Sequence, residues 1–268
     1  MNTPIRSAPI HSAPIRSAAQ PAPAWRQAVR PYRAELQAEL RRAWRTPAFA
    51  VPSLLFPVLF YLLFGVLLGR GHAPLYLLAT YCVFGAMAPA LFGFGVQLAL
   101  DREGGLLTLK RALPMPAAAP LLARLAMAVM FALLVAVVLI GVARVFGGVQ
   151  LSALQMLQLL AVAGLAALPL GAIGLLIGSH VSASAAPAMV NLVYLPLALL
   201  SGLWLPLSAL PKVFSMMAPL WPTWHLAQLA LPVVGLPSVG NVAGHLLVLL
   251  AVTFVALLLA RRRLRRIG

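Results

Sequence analysis

The stretch "ALDREGGLLTLKRALPMP", Ala99 to Pro116, decides how this chain is read. The whole protein has four acidic residues, and two of them, Asp101 and Glu103, flank Arg102 here, directly after a long apolar run. Gly104-Gly105 then breaks the pattern. "LLTLKRAL" is long enough for about two helical turns, with Leu106, Leu109 and Leu113 on one face and Lys110 and Arg111 off it. Pro114 and Pro116 stop it. The spacing predicts a short charged helix held between two apolar segments, a handle for a soluble partner. The plainer reading is an interfacial stop plus charges at a helix end.

Composition sets the solvent. The chain has 268 residues, 62% of them hydrophobic and only 9% charged, with a formal net charge of +16; the mean hydropathy is +0.97. A soluble domain carries about a quarter charged residues, so lipid must cover much of this surface. The basic residues lie outside the apolar blocks, which fits basic flanks of a membrane protein and argues against nucleic acid as partner. Cys82 stands alone, so an intrachain disulfide is excluded.

Residues 1–20 carry the repeat "PIRSAPIHSAPIRSA", whose Pro, Ser, Ala and Arg cannot build a core. We expect disorder there, with no cleavable signal. Residues 21–46 read as an amphipathic interfacial helix: Trp25, Tyr32, Leu36, Leu40 and Trp44 recur on one face and arginines fill the other. Residues 47–260 hold six apolar blocks, at 48–69, 74–100, 119–146, 152–178, 184–207 and 242–260. Each approaches the roughly 20 residues a helix needs to cross a bilayer. Arg124, near the start of the third, is expected to snorkel to the interface. Residues 261–268 form a basic tail. With the amino terminus inside, Lys and Arg divide 17 inside to 3 outside, which requires an even number of spans and both ends in the cytoplasm.

The expected fold is therefore an all-α membrane protein of six transmembrane helices with an amino-terminal interfacial helix. The segment from Pro206 to Pro237 is apolar but broken by prolines, so short re-entrant helices are expected before the last span. Trp221, Trp224 and His225 suit an outer interfacial zone.

Catalytic chemistry is poorly provided for. No Asp or Glu falls inside a predicted span, and His245 is the one plausible intramembrane ionisable group, most simply a hydrogen-bonded packing residue. There is no H-E-x-x-H, no Cys pair and no P-loop; the only lysines, Lys110 and Lys212, lie in "LTLKRA" and "LPKV". No catalytic, metal or cofactor-binding residue is assigned. Gly65–Gly69 and Gly174–Gly178 have the small-xxx-small spacing of close helix pairs, a weak signal by itself.

The opening stretch resembles the cytoplasmic loop of ABC-2 type exporter permeases, through Arg102, Glu103, Gly105, Leu107, Arg111 and Pro114; Leu106 replaces the family's Thr and Lys110 an apolar residue. "SGLWLPLSALPKVFSMMAPLWPTWHLAQLA" is similar to a later family segment through Ser201, Gly202, Pro206, Leu210, Pro211 and Pro222. The resemblance implies a multi-pass permease subunit of a bacterial plasma (inner) membrane. It would be paired with a second permease copy and with a separate ABC ATPase that carries ATP and Mg. It implies ATPase coupling through Asp101, Arg102, Glu103, Gly105, Leu107, Lys110 and Arg111 and through the interfacial helix, and export of a lipophilic or lipid-linked substrate. The alternatives are a non-transporting scaffold or assembly subunit and a secondary transporter. The residues that would bind substrate are not legible.

Overall fold

The computed structural model describes residues 24–112, 115–116 and 118–267, all helix, turn and loop, with no strand among them. The repeat expected to be disordered, 1–20, lies outside the described residues.

Helix α1 (Ala24–Arg45) is followed after Thr46 by α2 (Pro47–Phe60), which continues as wide π-helical turns over Tyr61–Leu67. The Leu68 amide bonds the Leu63 carbonyl at 2.9 Å, five residues back, which is the mark of that winding. Tyr61 is buried at this turn and donates to the Pro74 carbonyl at 3.2 Å.

Helix α3 (Ala73–Glu103) is the centre of the molecule. Every residue from Leu77 to Met87 is buried, as expected of a helix that is apolar all round. It packs against α5 (Ala119–Phe146), α6 (Ala153–His180) and α7 (Ala186–Leu199). The α3–α6 contact is the closest. A Cβ on Gly178 would lie 2.2 Å from the Gly95 carbonyl oxygen, and one on Gly174 would lie 2.7 Å from that of Leu91. The Gly174–Gly178 pair is thus a true helix crossing. Gly65–Gly69 is not: Gly65 makes room for the ring of Tyr61, and Gly69 faces its own helix.

Helix α6 starts at a capping box. The Gln155 amide donates to the Ser152 hydroxyl at 3.3 Å, and the Ser152 amide donates to Gln155 Oε1 at 2.9 Å. The same Gln155 donates through Nε2 to the Val233 carbonyl at 2.9 Å, tying this end to the later short helices.

Among the described residues, four helices are long and apolar enough to cross a membrane: α3, α5, α6 and α10 (Val242–Ile267). The α10 helix runs unbroken through the basic tail. Much of its surface is apolar and exposed, including Leu250, Phe254 and Leu257, which only lipid or another apolar surface can cover. The first and fifth blocks form shorter apolar helices, Val51–Leu67 and Ala186–Leu199.

The expectation of continuous helix over 184–207 is corrected. The helix ends at Leu199, and Gly202 follows with a φ of 80°, a left-handed turn that glycine takes without strain. Tyr76 donates to the Gly202 carbonyl at 2.8 Å and Tyr81 to that of Trp204 at 3.1 Å. Two tyrosines of α3 therefore hold the chain where it turns away from the helix axis.

Beyond this turn, α8 (Lys212–Met217) is exposed, with Met216 80% accessible, whereas every residue of α9 (Pro222–Ala230) is buried. Trp224 and His225 are thus packed inside the protein. His225 and His245 meet through their Nδ1 atoms at 2.8 Å, while their Nε2 atoms face the carbonyls of Pro219 (3.0 Å) and Val239 (2.7 Å). His245 is a hydrogen-bonded packing residue, and its partner is another histidine.

Candidate coupling site

The charged end of the bundle is built from α1, the last turn of α3, α4 (Leu106–Ala112) and the first turns of α5 and α6's terminus. Arg124 lies one turn inside α5 and is buried, 5% exposed. The expected snorkelling to the interface does not occur. Its guanidinium pairs with Asp101, 6% exposed, and reaches Glu39 at 3.4 Å. Arg42 completes the group, 3.5 Å from both Asp101 and Glu39, and lies within 3.4 Å of Gln97 Oε1. Two carboxylates thus face two guanidiniums. A buried charge is costly unless it is paired and hydrogen-bonded, and this set is neutral.

A second pair lies beside it. Lys110 of α4 meets Glu35 of α1 at 2.6 Å, with both side chains largely buried. Glu35 and Glu39 are one helical turn apart, so one face of α1 addresses both α4 and α5. Three of the chain's four carboxylates are therefore joints between elements. Glu103 is the fourth; it is exposed and has no ion pair among the described residues.

Arg102 turns inward. It donates to the carbonyls of Gly178 (3.2 Å), Ser179 (2.7 Å) and Val181 (2.5 Å) at the end of α6. Those carbonyls have no acceptor role left within their own helix, and a cation is the favoured partner at that negative end. Gly105 makes the turn into α4 with a φ of 72°.

The orientation of α4 differs from the predicted one. Leu107 packs on the core and Lys110 faces α1, while Leu109 is 60% exposed. The ion pair of Lys110 and the burial of Leu107, three residues apart, select the inward face; Leu109 is left outward beside exposed Thr108 and Ala112. The side chain of Arg111 lies outside the described residues, as do those of Trp25 and Trp44. Tyr32, Leu36 and Leu40 are half-buried on the same face of α1 as Glu35 and Glu39. That face packs chiefly against α5, so the helix rests on protein.

Among the expected residues, the structure brings Asp101, Arg102, Leu107 and Lys110 into contact with neighbouring helices and leaves Glu103 and Leu109 outward. Sequence reading missed Glu35, Glu39, Arg42 and Arg124. The available signal was arithmetic: an acid-poor chain with two glutamates four residues apart and, in Arg124, an arginine near the start of an apolar block. Among the described residues there is no group of three or more His, Cys, Asp or Glu that could hold a metal. What this arrangement does is mechanical: it joins the ends of five helices through charges.

The ABC-2 type transporter family model matches residues 31–234, spanning α1 to the turn after α9. A protein of Bacillus subtilis (strain 168) named as a transport permease, YvfS, is 26% identical over 236 residues, covering 84% of this chain and 93% of the relative. The charged joint, the apolar helices and the match across most of the chain lead to one conclusion: this protein is a membrane permease belonging to the ABC-2 type transporter family.

Proposed function

We propose that the chain is the transmembrane half of an ATP-driven exporter, powered by a separate ABC ATPase that docks on the outward side of α4 and beside α1. The observation that carries this reading is the joint itself. The α4 helix is held to α1 by Lys110–Glu35, α1 to α3 and α5 by Glu39, Arg42, Asp101 and Arg124, and α3 to α6 by Arg102. A push on α4 would reach four helices without passing through lipid. Glu103 and Leu109 offer the partner one charge and one apolar contact. Gly105 and Arg111 belong to the same docking element.

In this reading the chain keeps the division into an amino-terminal segment (1–20), an interfacial helix (21–46), a six-span transporter domain (47–260) and a basic tail (261–268). Both ends are cytoplasmic, in a bacterial plasma membrane. The span made by α2 and its π turns is complete by itself. The one begun by α7, 14 residues and so roughly 21 Å long, is completed by the turn at Gly202 and the short helices after it. A second permease copy forms the other half.

A lipophilic or lipid-linked substrate suits the cavity between α2, α3 and α7. It measures about 330 Å³ and is walled by Phe56, Phe60, Phe84, Phe92, Tyr194 and Trp204, with Asn191 as its amide. Such a lining, mostly apolar with few polar groups, is that of a small-molecule site. Phe60 and Trp204 stack at 5.9 Å across it.

The test is reconstitution with the ATPase chain. Glu103→Gln, exposed and unpaired, leaves insertion and fold intact. Losing a desolvated charged partner at the contact costs about 2–5 kcal/mol, so ATPase binding and transport-linked ATP hydrolysis fall. Failure of the wild-type chain to co-purify with any ATPase would favour a scaffold subunit. Transport that persists without ATP hydrolysis and collapses with a protonophore would favour a secondary transporter.

A further inference from the structure

A second cavity lies on the far side of the same end of the bundle. A cavity of about 640 Å³ opens between α6, α7 and α10. Part of its wall is apolar: Leu176 and Ile177 of α6, Met189 of α7 and Leu259 of α10. Another part is basic: Arg262, Arg263 and Arg266, with His180 also in the lining. No carboxylate lines it. We propose that this cavity binds one anionic phospholipid, its phosphate held by the arginines and an acyl chain lying along the apolar wall.

Three observations support that occupant. Leu259, Arg262, Arg263 and Arg266 follow each other at helical spacing, so a single stripe of α10 changes from apolar to basic. That order matches a lipid standing in a leaflet, chain first and headgroup next. The stripe also joins the exposed apolar surface of α10 at Val255, 52% accessible, which continues away from the charged end. Among the described residues, none of the three guanidiniums has an ion-pair or hydrogen-bond partner. The nearby carbonyls at the end of α6 do not draw them, because Arg102 already occupies those carbonyls. Basic pockets between transmembrane helices at the cytoplasmic side are the places where anionic headgroups bind.

The plain alternative is a basic tail attracted to any negative surface. The helix supplies its own control, because Arg261 and Arg265 carry the same charge with the same spacing and do not line the cavity. The experiment uses the full chain in phosphatidylcholine vesicles containing a minority of phosphatidylglycerol, with retained lipid counted by native mass spectrometry after extraction. Arg262→Gln with Arg266→Gln lowers phosphatidylglycerol retention about thirtyfold, from roughly fivefold per arginine near an anionic surface. Arg261→Gln with Arg265→Gln changes it far less, because neither arginine lines the cavity. Met189→Glu, which places a negative charge on the α7 wall and leaves α10 intact, also expels the lipid. It keeps the test valid if the arginine variant does not fold. Equal losses from the two arginine pairs, equal retention of phosphatidylcholine, or unchanged retention in Met189→Glu overturns the proposal. Glycerophosphate, the headgroup chemistry without chains, does not displace the lipid; displacement at comparable concentration would identify a soluble-anion site and overturn the lipid assignment.

Discussion

Arg124 stands in a helix that lipid would otherwise accept without reservation, and its burial depends on Asp101 one helix away. Removing one partner of a buried pair leaves an uncompensated charge, at a cost of about 3–5 kcal/mol. Asp101→Asn therefore lowers the temperature of unfolding in detergent and the level of protein in the membrane. Asp101→Leu combined with Arg124→Leu restores most of the loss, because an apolar pair needs no compensation; a double variant no better than Asp101→Asn would refute the pairing as the cause. Glycine makes a second test at this scale. Gly178→Ala drives a methyl group against the Gly95 carbonyl, and overpacking of this kind costs about 1–3 kcal/mol. Gly164→Ala meets only side chains at 3.7 and 3.8 Å and leaves thermal stability unchanged. The Gly174–Gly178 spacing was visible in the sequence, but Gly65–Gly69 has the same spacing and no helix opposite. Spacing gives the possibility of close approach, and only the neighbouring helix makes it real.

At the scale of elements, α1 and α4 behave as one part. Glu35 and Lys110 are 75 residues apart, yet they form the joint through which α4 is oriented. Exchanging the charges, Glu35→Lys with Lys110→Glu, preserves that joint; either change alone places like charges in contact. An incompletely buried pair contributes about 1 kcal/mol, so each single variant loses ATPase stimulation several-fold and the exchange recovers it, measured on the reconstituted complex. No recovery in the exchange would mean that α4 is oriented by Leu107 alone. The amphipathic pattern of α1 was legible in Tyr32, Leu36 and Leu40. What was not legible is that Glu35 and Glu39 share that face, because the arginines and the apolar residues dominate the pattern and a carboxylate beside an apolar stripe reads as solvated. The inward side of α4 was misread for a related reason: a buried lysine is unexpected until its partner is known. Likewise, residues 200–207 look like the end of an apolar helix. It takes the hydroxyls of Tyr76 and Tyr81, far away in sequence, to show why the chain turns there.

For the whole molecule, the bias of Lys and Arg and the apolar blocks made the membrane architecture readable, with α3 as its buried centre only once the packing was in hand. The proposed topology, six spans with both ends inside, places Ser208 and Arg263 on opposite sides of the bilayer. A cysteine replacing Ser208 in a chain lacking Cys82 reacts with an impermeant maleimide in intact cells, and one replacing Arg263 reacts only after the membrane is opened. Labelling of both from the same side would remove the six-span topology. The ion pairs of α1 also set an order of events during synthesis. Glu39 and Arg124 are 85 residues apart, so when α1 leaves the ribosome Glu39 has only Arg42 of its own helix and Glu35 still lacks Lys110. Asp101 arrives next, with Arg42 the one cation of its group already made. Only when the start of α5 is made do Arg124 and Lys110 both exist, and α1 can then seat against the growing bundle. Helix α1 therefore seats only after α3, α4 and the start of α5 have been made, and a nascent chain halted before Arg124 lacks the cation that joins Glu39 to α5.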